Sequence, residues 1–141
     1  MLTDPDATLK AGWTYTLTVE VGNALTTDPF GGYTVQLLAG GTPHTPGTGG
    51  DYTGAVTGGT LLAEDDNTLT IASGTFETST VTYNYDPAHS GLLGEPLQIR
   101  LLAYAASDEV EFDDVRLDAI PEPATLGLLG LGALILRRKR S

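Results

Sequence analysis

The sequence predicts an all-β chain, an antiparallel β-sandwich or jelly roll, followed by a single C-terminal transmembrane helix. Three observations carry this. Residues 13–21 alternate apolar and polar side chains without a fault, no stretch of residues 1–119 holds a 3.6-residue period, and residues 124–136 are apolar around the whole circumference of a helix. Glycine (18 residues) and threonine are abundant, which suits short strands and turns better than helix interiors.

Trp13, Tyr15, Leu17, Val19 and Val21 form the inward face of the first strand, with Thr14, Thr16, Thr18 and Glu20 outside. Trp13 shares the phase of Leu17 and is therefore assigned to the core. Tyr33, Val35 and Leu37 repeat the pattern, and Gly40-Gly41 closes that strand. Residues 39–59 then hold eight glycines and two prolines among 21 positions, the texture of an inserted surface loop. The strings Ala39-Gly40-Gly41-Thr42 and Thr57-Gly58-Gly59-Thr60 bracket it.

Strands are expected again at Thr60–Ala63, Thr68–Ala72 and Thr75–Tyr85. In the last of these Phe76 is out of phase with Val81, Tyr83 and Tyr85, which predicts a bulge near Thr78–Thr80. Residues 86–96 connect to a strand in which Leu97, Ile99, Leu101 and Ala103 alternate with Gln98, Arg100, Leu102 and Tyr104. The final strand covers about Glu109–Ala119, with an extra residue at Asp113-Asp114 where the phase of Val110 and Phe112 gives way to that of Val115 and Leu117.

Charge is segregated. Residues 1–123 contain all 18 acidic residues and only Lys10, Arg100 and Arg116, a net −15, whereas Arg137, Arg138, Lys139 and Arg140 bring the total to −11. A body so acidic repels nucleic acid, so no nucleic-acid partner is expected. The absence of cysteine excludes disulfides, thiolate zinc sites and cysteine nucleophiles.

Ile120-Pro121-Glu122-Pro123 ends the body, because two prolines cannot continue a ladder. Residues 124–136 would span roughly 20 Å as a helix, short of the ~30 Å hydrocarbon core, so snorkelling by Arg137 and Arg138 and local thinning of the bilayer complete the span. The positive-inside rule keeps residues 137–141 cytoplasmic and puts the body outside, anchored at first in the inner membrane. The competing assignment of residues 124–136 is a helix packed on the sandwich. Met1-Leu2-Thr3-Asp4-Pro5-Asp6 has no basic or apolar signal-peptide region, which suggests a chain truncated at its N-terminus, lacking a leader and a first strand.

The order Pro121-Glu122-Pro123, apolar helix, basic cluster closely resembles the PEP-CTERM sorting signal. That resemblance implies an exosortase in the membrane as processing partner and a destination in the cell envelope or exopolysaccharide matrix. Tyr15-Thr16-Leu17-Thr18-Val19-Glu20-Val21-Gly22-Asn23, Leu97-Gln98-Ile99-Arg100-Leu101 and Phe112-Asp113-Asp114-Val115-Arg116-Leu117 are similar to segments of galactose-binding-like jelly rolls of planctomycete type.

Chemistry is sparse by comparison. His44 and His89 sit in Pro/Gly-rich connections without metal-ligand spacing, no G-x-S-x-G is present, and no catalytic residue or cofactor is assigned. Calcium is the cation that suits the acidic groups Glu64, Asp65, Asp66 and Asp113, Asp114, since hard cations take six to eight oxygen ligands. Tyr52 and Tyr104 are the candidate glycan-stacking residues. The body is thus expected to be a non-enzymatic, structural or adhesive surface protein. The alternative is a carbohydrate-binding module that takes extracellular polysaccharide, and behind it stands an accessory domain of a hydrolase.

Overall fold

A computed structural model of the chain describes residues 7–42, 58–104, 109–123 and 130–135. Six strands are formed: β1 (Trp13–Asn23), β2 (Tyr33–Ala39), β3 (Thr60–Asp66), β4 (Thr75–Asn84), β5 (Leu97–Ala103) and β6 (Val110–Pro121), with a 3-10 turn at Pro87–Leu92. They make two three-stranded antiparallel sheets, ordered β4-β1-β6 and β3-β2-β5. The antiparallel sandwich expected from the alternation is present.

The core lies between the sheets, and its centre comes from the two middle strands. Leu17, Val19 and Val21 of β1 and Val35 and Leu37 of β2 have no exposed surface, each worth about 1.5–3 kcal/mol of burial. Trp13 packs against this cluster, as its phase implied.

The brackets around the 39–59 segment meet in space. Ala39 pairs with Thr60, and a Cβ on Gly41 would lie 2.7 Å from the Gly59 nitrogen, so these glycines let two backbones touch where the β2–β3 connection leaves the sheet. The expected bulge in the last strand also occurs. Thr18 faces Arg116 but Glu20 faces Asp113, so β6 advances three residues while β1 advances two, and Asp114 takes φ 45° there.

Three expectations are corrected. β4 pairs with β1 from Asn84 to Thr75 without interruption, so there is no bulge near Thr78–Thr80. Phe76 is out of phase because it lies on the outer face, its ring filling the space that a side chain on Gly22 would need: a Cβ there would come 2.6 Å from Phe76 Cε1. Residues 68–72 form no strand. Leu69 and Ile71 still turn into the core, and side chains serve the backbone of this segment, with Asn23 Nδ2 donating to the Ile71 carbonyl at 2.9 Å. Finally, β6 runs through Pro121, two residues beyond the expected end, because a proline at the last ladder position forfeits no donor the sheet needs.

In the tail, residues 130–135 are helical, and among the described residues no helix is long and apolar enough to cross a membrane. Leu131, Leu134 and Ile135 are about three-fifths exposed and thus do not pack on the sandwich.

Candidate functional site

Strand alternation separates the acidic group of β3. Asp65 shares the inward phase of Val35 and Leu101, while Glu64 and Asp66 face outward opposite Gln36 and Thr34. Three consecutive carboxylates therefore do not converge on one point, and Asp113 and Asp114 lie in the other sheet. Asp113 accepts a 2.7 Å bond from the Asp114 backbone N–H, and Asp114 pairs with Arg116 at 2.9 Å in solvent. Among the described residues no three His, Asp or Glu side chains are grouped to hold a metal ion.

Asp65 is 6% exposed and lies in the seam between the sheets. Its Oδ2 accepts from Tyr33 Oη (2.7 Å) and Ser79 Oγ (2.6 Å), and its Oδ1 from the Thr68 backbone N–H (3.1 Å) and Oγ1 (2.7 Å). Burial pushes the carboxyl pKa up, but the four hydrogen bonds outweigh it and hold Asp65 below the usual range. Burial first, and then the bond to Asp65, push the Tyr33 phenol up to about 12. A carboxylate so engaged stays ionised and is a poor proton donor. Its role is to tie β3, β2, β4 and the 67–72 segment together.

The outer face of the β3-β2-β5 sheet is different in kind. Across its middle, Arg100 Nε donates to Gln36 Oε1 at 2.6 Å and Gln36 Nε2 donates to Glu64 Oε2 at 2.7 Å. One step along the strands, Thr34 Oγ1 (3.1 Å) and Tyr104 Oη both donate to Asp66 Oδ1. The bond to Asp66 is the main reason the Tyr104 phenol lies above its ordinary pKa.

Tyr104 is held at both ends. A Cβ on Gly32 would come 2.7 Å from Tyr104 Cδ2, so the ring lies over bare backbone, and Gly32 adopts φ 109°, where an L side chain is strained. The Tyr104 N–H also bonds the Gly32 carbonyl at 3.1 Å. The side chain remains 49% exposed, beside Leu102 (41%), with Leu61 (40%) further along the same face. An aromatic ring locked in place with open surface is a platform for a flat ligand.

The sequence placed Tyr104 on this outward phase, and the structure puts it there. It did not single out Arg100, Gln36, Leu102 or Leu61. The available signal was that Arg100, one of three basic residues in an acidic body, occupies an outward position on the same strand. His89 is in a 3-10 turn with Nδ1 2.9 Å from Tyr83 Oη, a contact across six positions that loop composition did not suggest. Tyr52, His44 and Arg137, Arg138, Lys139 and Arg140 lie outside the described residues.

Pro121, Glu122 and Pro123 follow directly from the body. Pro121 pairs with Trp13, and the Glu122 N–H bonds the Gly12 carbonyl at 2.8 Å. A model of the PEP-CTERM protein-sorting motif matches residues 119–140. The motif marks a secreted or cell-envelope protein and implies processing by exosortase, a membrane enzyme.

The body matches a second family model, HpiC1-like, described as HpiC1 cyclase, over residues 3–50 and 44–118. Among solved structures, a Stig cyclase, Fisc, from Fischerella sp. TAU in complex with (3Z)-3-(1-methyl-2-pyrrolidinylidene)-3H-indole is 38% identical, with TM-score 0.62. A cyclase from the same organism in complex with 4-(1H-indol-3-yl)butan-2-one is 39% identical, with TM-score 0.61. A third, also a cyclase from Fischerella sp. TAU, is 39% identical with TM-score 0.63. The alignments cover 83% of this chain but only 53–54% of those chains, so the chain spans about half the length of the cyclases it resembles. No curated protein matches it.

These matches correct two expectations. The body matches the HpiC1-like cyclase family and not a galactose-binding-like domain. The non-enzymatic reading is overturned as well, since the proteins it resembles are enzymes. A sequence search for catalytic motifs misses such kinship, because it looks for nucleophiles and metal ligands.

Proposed function

Because the chain belongs to the HpiC1-like cyclase family, we propose that it is the sandwich part of an exported cyclase-type protein whose ligand face is the outer face of the β3-β2-β5 sheet. The observation that carries this is the Tyr104 ring, seated on Gly32, tied to Asp66 and half open to solvent. Two of the related cyclases hold indole compounds. A fused flat ring of that class fits Tyr104 with Leu102 at its side, an aromatic pairing worth about 0.5–1.5 kcal/mol beyond the area buried.

The tail supplies the address. Residues 124–136 serve as the membrane-held stretch, with Arg137, Arg138, Lys139 and Arg140 on the cytoplasmic side. The exposed Leu131, Leu134 and Ile135 support this, because they find no cover on the sandwich.

The test is a titration of the purified chain with 4-(1H-indol-3-yl)butan-2-one, followed by backbone amide shifts. The expected result is saturable movement at Gly32, Leu102 and Tyr104 that Tyr104→Ala abolishes. No movement there, or movement unaffected by Tyr104→Ala, refutes the reading. The hydrogen-bonding row beside Tyr104 also suits sugar hydroxyls. Saturation of the same amides by a neutral oligosaccharide, with none by the indole compound, would favour a carbohydrate-binding role.

A further inference from the structure

Among the described residues Arg100 is the one cation on the ligand face, and it is held at one end only. Gln36 presents its amide oxygen to Arg100 because its amide nitrogen is committed to Glu64 Oε2 at 2.7 Å. That order orients the guanidinium through Nε. Among the described residues the two terminal Nη groups have no hydrogen-bond partner, and the single ion pair is Arg116–Asp114 on the other sheet. An oriented guanidinium with two parallel donors left over is the geometry that takes a carboxylate or similar oxyanion in bidentate fashion.

We infer that Arg100 is a specificity-determining contact for a ligand that carries a carboxylate, or an equivalent planar oxyanion, on a short linker from its flat ring. The inference rests on the ligand face proposed above and names the class of molecule that face prefers. Arg100 and Leu102 share one side of β5 and Tyr104, the residue after its end, continues their phase, with Cα atoms of the outer two about 13 Å apart at strand spacing. The arginine side chain covers part of that distance, and Leu102 provides apolar footing between charge and ring.

The acidic body opposes an anionic ligand, so magnitudes decide. Asp66 already accepts from Thr34 and Tyr104, and Glu64 from Gln36. Glu64 reaches Arg100 only through the Gln36 amide, whose contacts of 2.7 and 2.6 Å leave its carboxylate up to about 7.5 Å from the guanidinium, close to the ~8 Å Debye length at physiological salt. A charge-assisted contact at about 2.8 Å outweighs repulsion screened over that distance.

The experiment compares 3-(1H-indol-3-yl)propanoate with 4-(1H-indol-3-yl)butan-2-one, which share the ring and the two-methylene linker and differ in carrying a carboxylate or a methyl ketone at its end. The wild-type chain is expected to bind the carboxylate about tenfold or more tightly than the ketone, with the Arg100 Nη signals shifting at saturation. In Arg100→Gln the preference falls to about twofold or less while ketone affinity stays within about twofold, and Arg100→Lys keeps part of the preference. Equal affinity for the two compounds in the wild type, or a preference that survives Arg100→Gln, overturns the inference and leaves the ligand-face reading standing. Binding of neither compound by the folded wild type overturns both. The Nη signals keep the test decisive even if a variant fails to fold.

Discussion

Tyr33 and Asp65, neighbours across β2 and β3, meet in the seam between the sheets through a 2.7 Å hydrogen bond that the phenol donates to the carboxylate. The same oxygen accepts from Ser79 of the opposite sheet, so one charge joins both layers of the sandwich. Replacing Asp65 with Ala removes the acceptor and strands the Tyr33, Ser79 and Thr68 donors. A loss of about 3 kcal/mol or more in unfolding free energy is expected from urea titration. A loss below about 1 kcal/mol would mean that the donors find other partners.

The pH dependence of this pair has two signs. Asp65 is depressed in the folded state, so its contribution is present above the unfolded carboxylate value of about 3.9 and lost as pH falls through the lower folded value. Tyr33 is raised to about 12 in the folded state, so its contribution is complete below the unfolded value of about 10 and lost as pH rises toward 12. Absorbance near 295 nm is expected to show one phenol titrating about two units above free tyrosine, together with loss of structure. In Tyr33→Phe that late step should vanish.

Gly32 is where the ligand platform is most exposed to mutation. An alanine there brings a Cβ within 2.7 Å of the Tyr104 ring at a backbone φ of 109°. Gly32→Ala is expected to cost about 1–2 kcal/mol and to displace Tyr104 from Asp66. The Tyr104 phenol should then fall back toward its ordinary pKa, an effect visible in a tyrosine-resolved titration. An unchanged titration would show that the ring does not depend on this seat.

Glu122 links address to body. In a host with exosortase the wild type is expected to lose its C-terminal segment, and Glu122→Ala to stay whole in the membrane fraction. Intact mass and fractionation measure both. Equal processing of the two forms would mean that the carboxylate of the Pro121-Glu122-Pro123 motif is not read.

Sequence alone determined what period-two alternation and local chemistry can encode. The face of β1, the glycine brackets of the β2–β3 connection, the extra residue at Asp113-Asp114, the outward phase of Tyr104 and the sorting tail were all legible, because each is written in one continuous stretch of the chain. Phase analysis erred where a neighbour decided the outcome: Phe76 needed Gly22 on the adjacent strand, and the 68–72 segment lines the core without a strand partner. Tertiary structure alone decided the pairing order β4-β1-β6 and β3-β2-β5, the burial of Asp65, and the alignment of Glu64, Gln36 and Arg100. The last of these joins residues 28 and 64 positions apart, and pairings between such distant segments leave no periodic trace in the sequence.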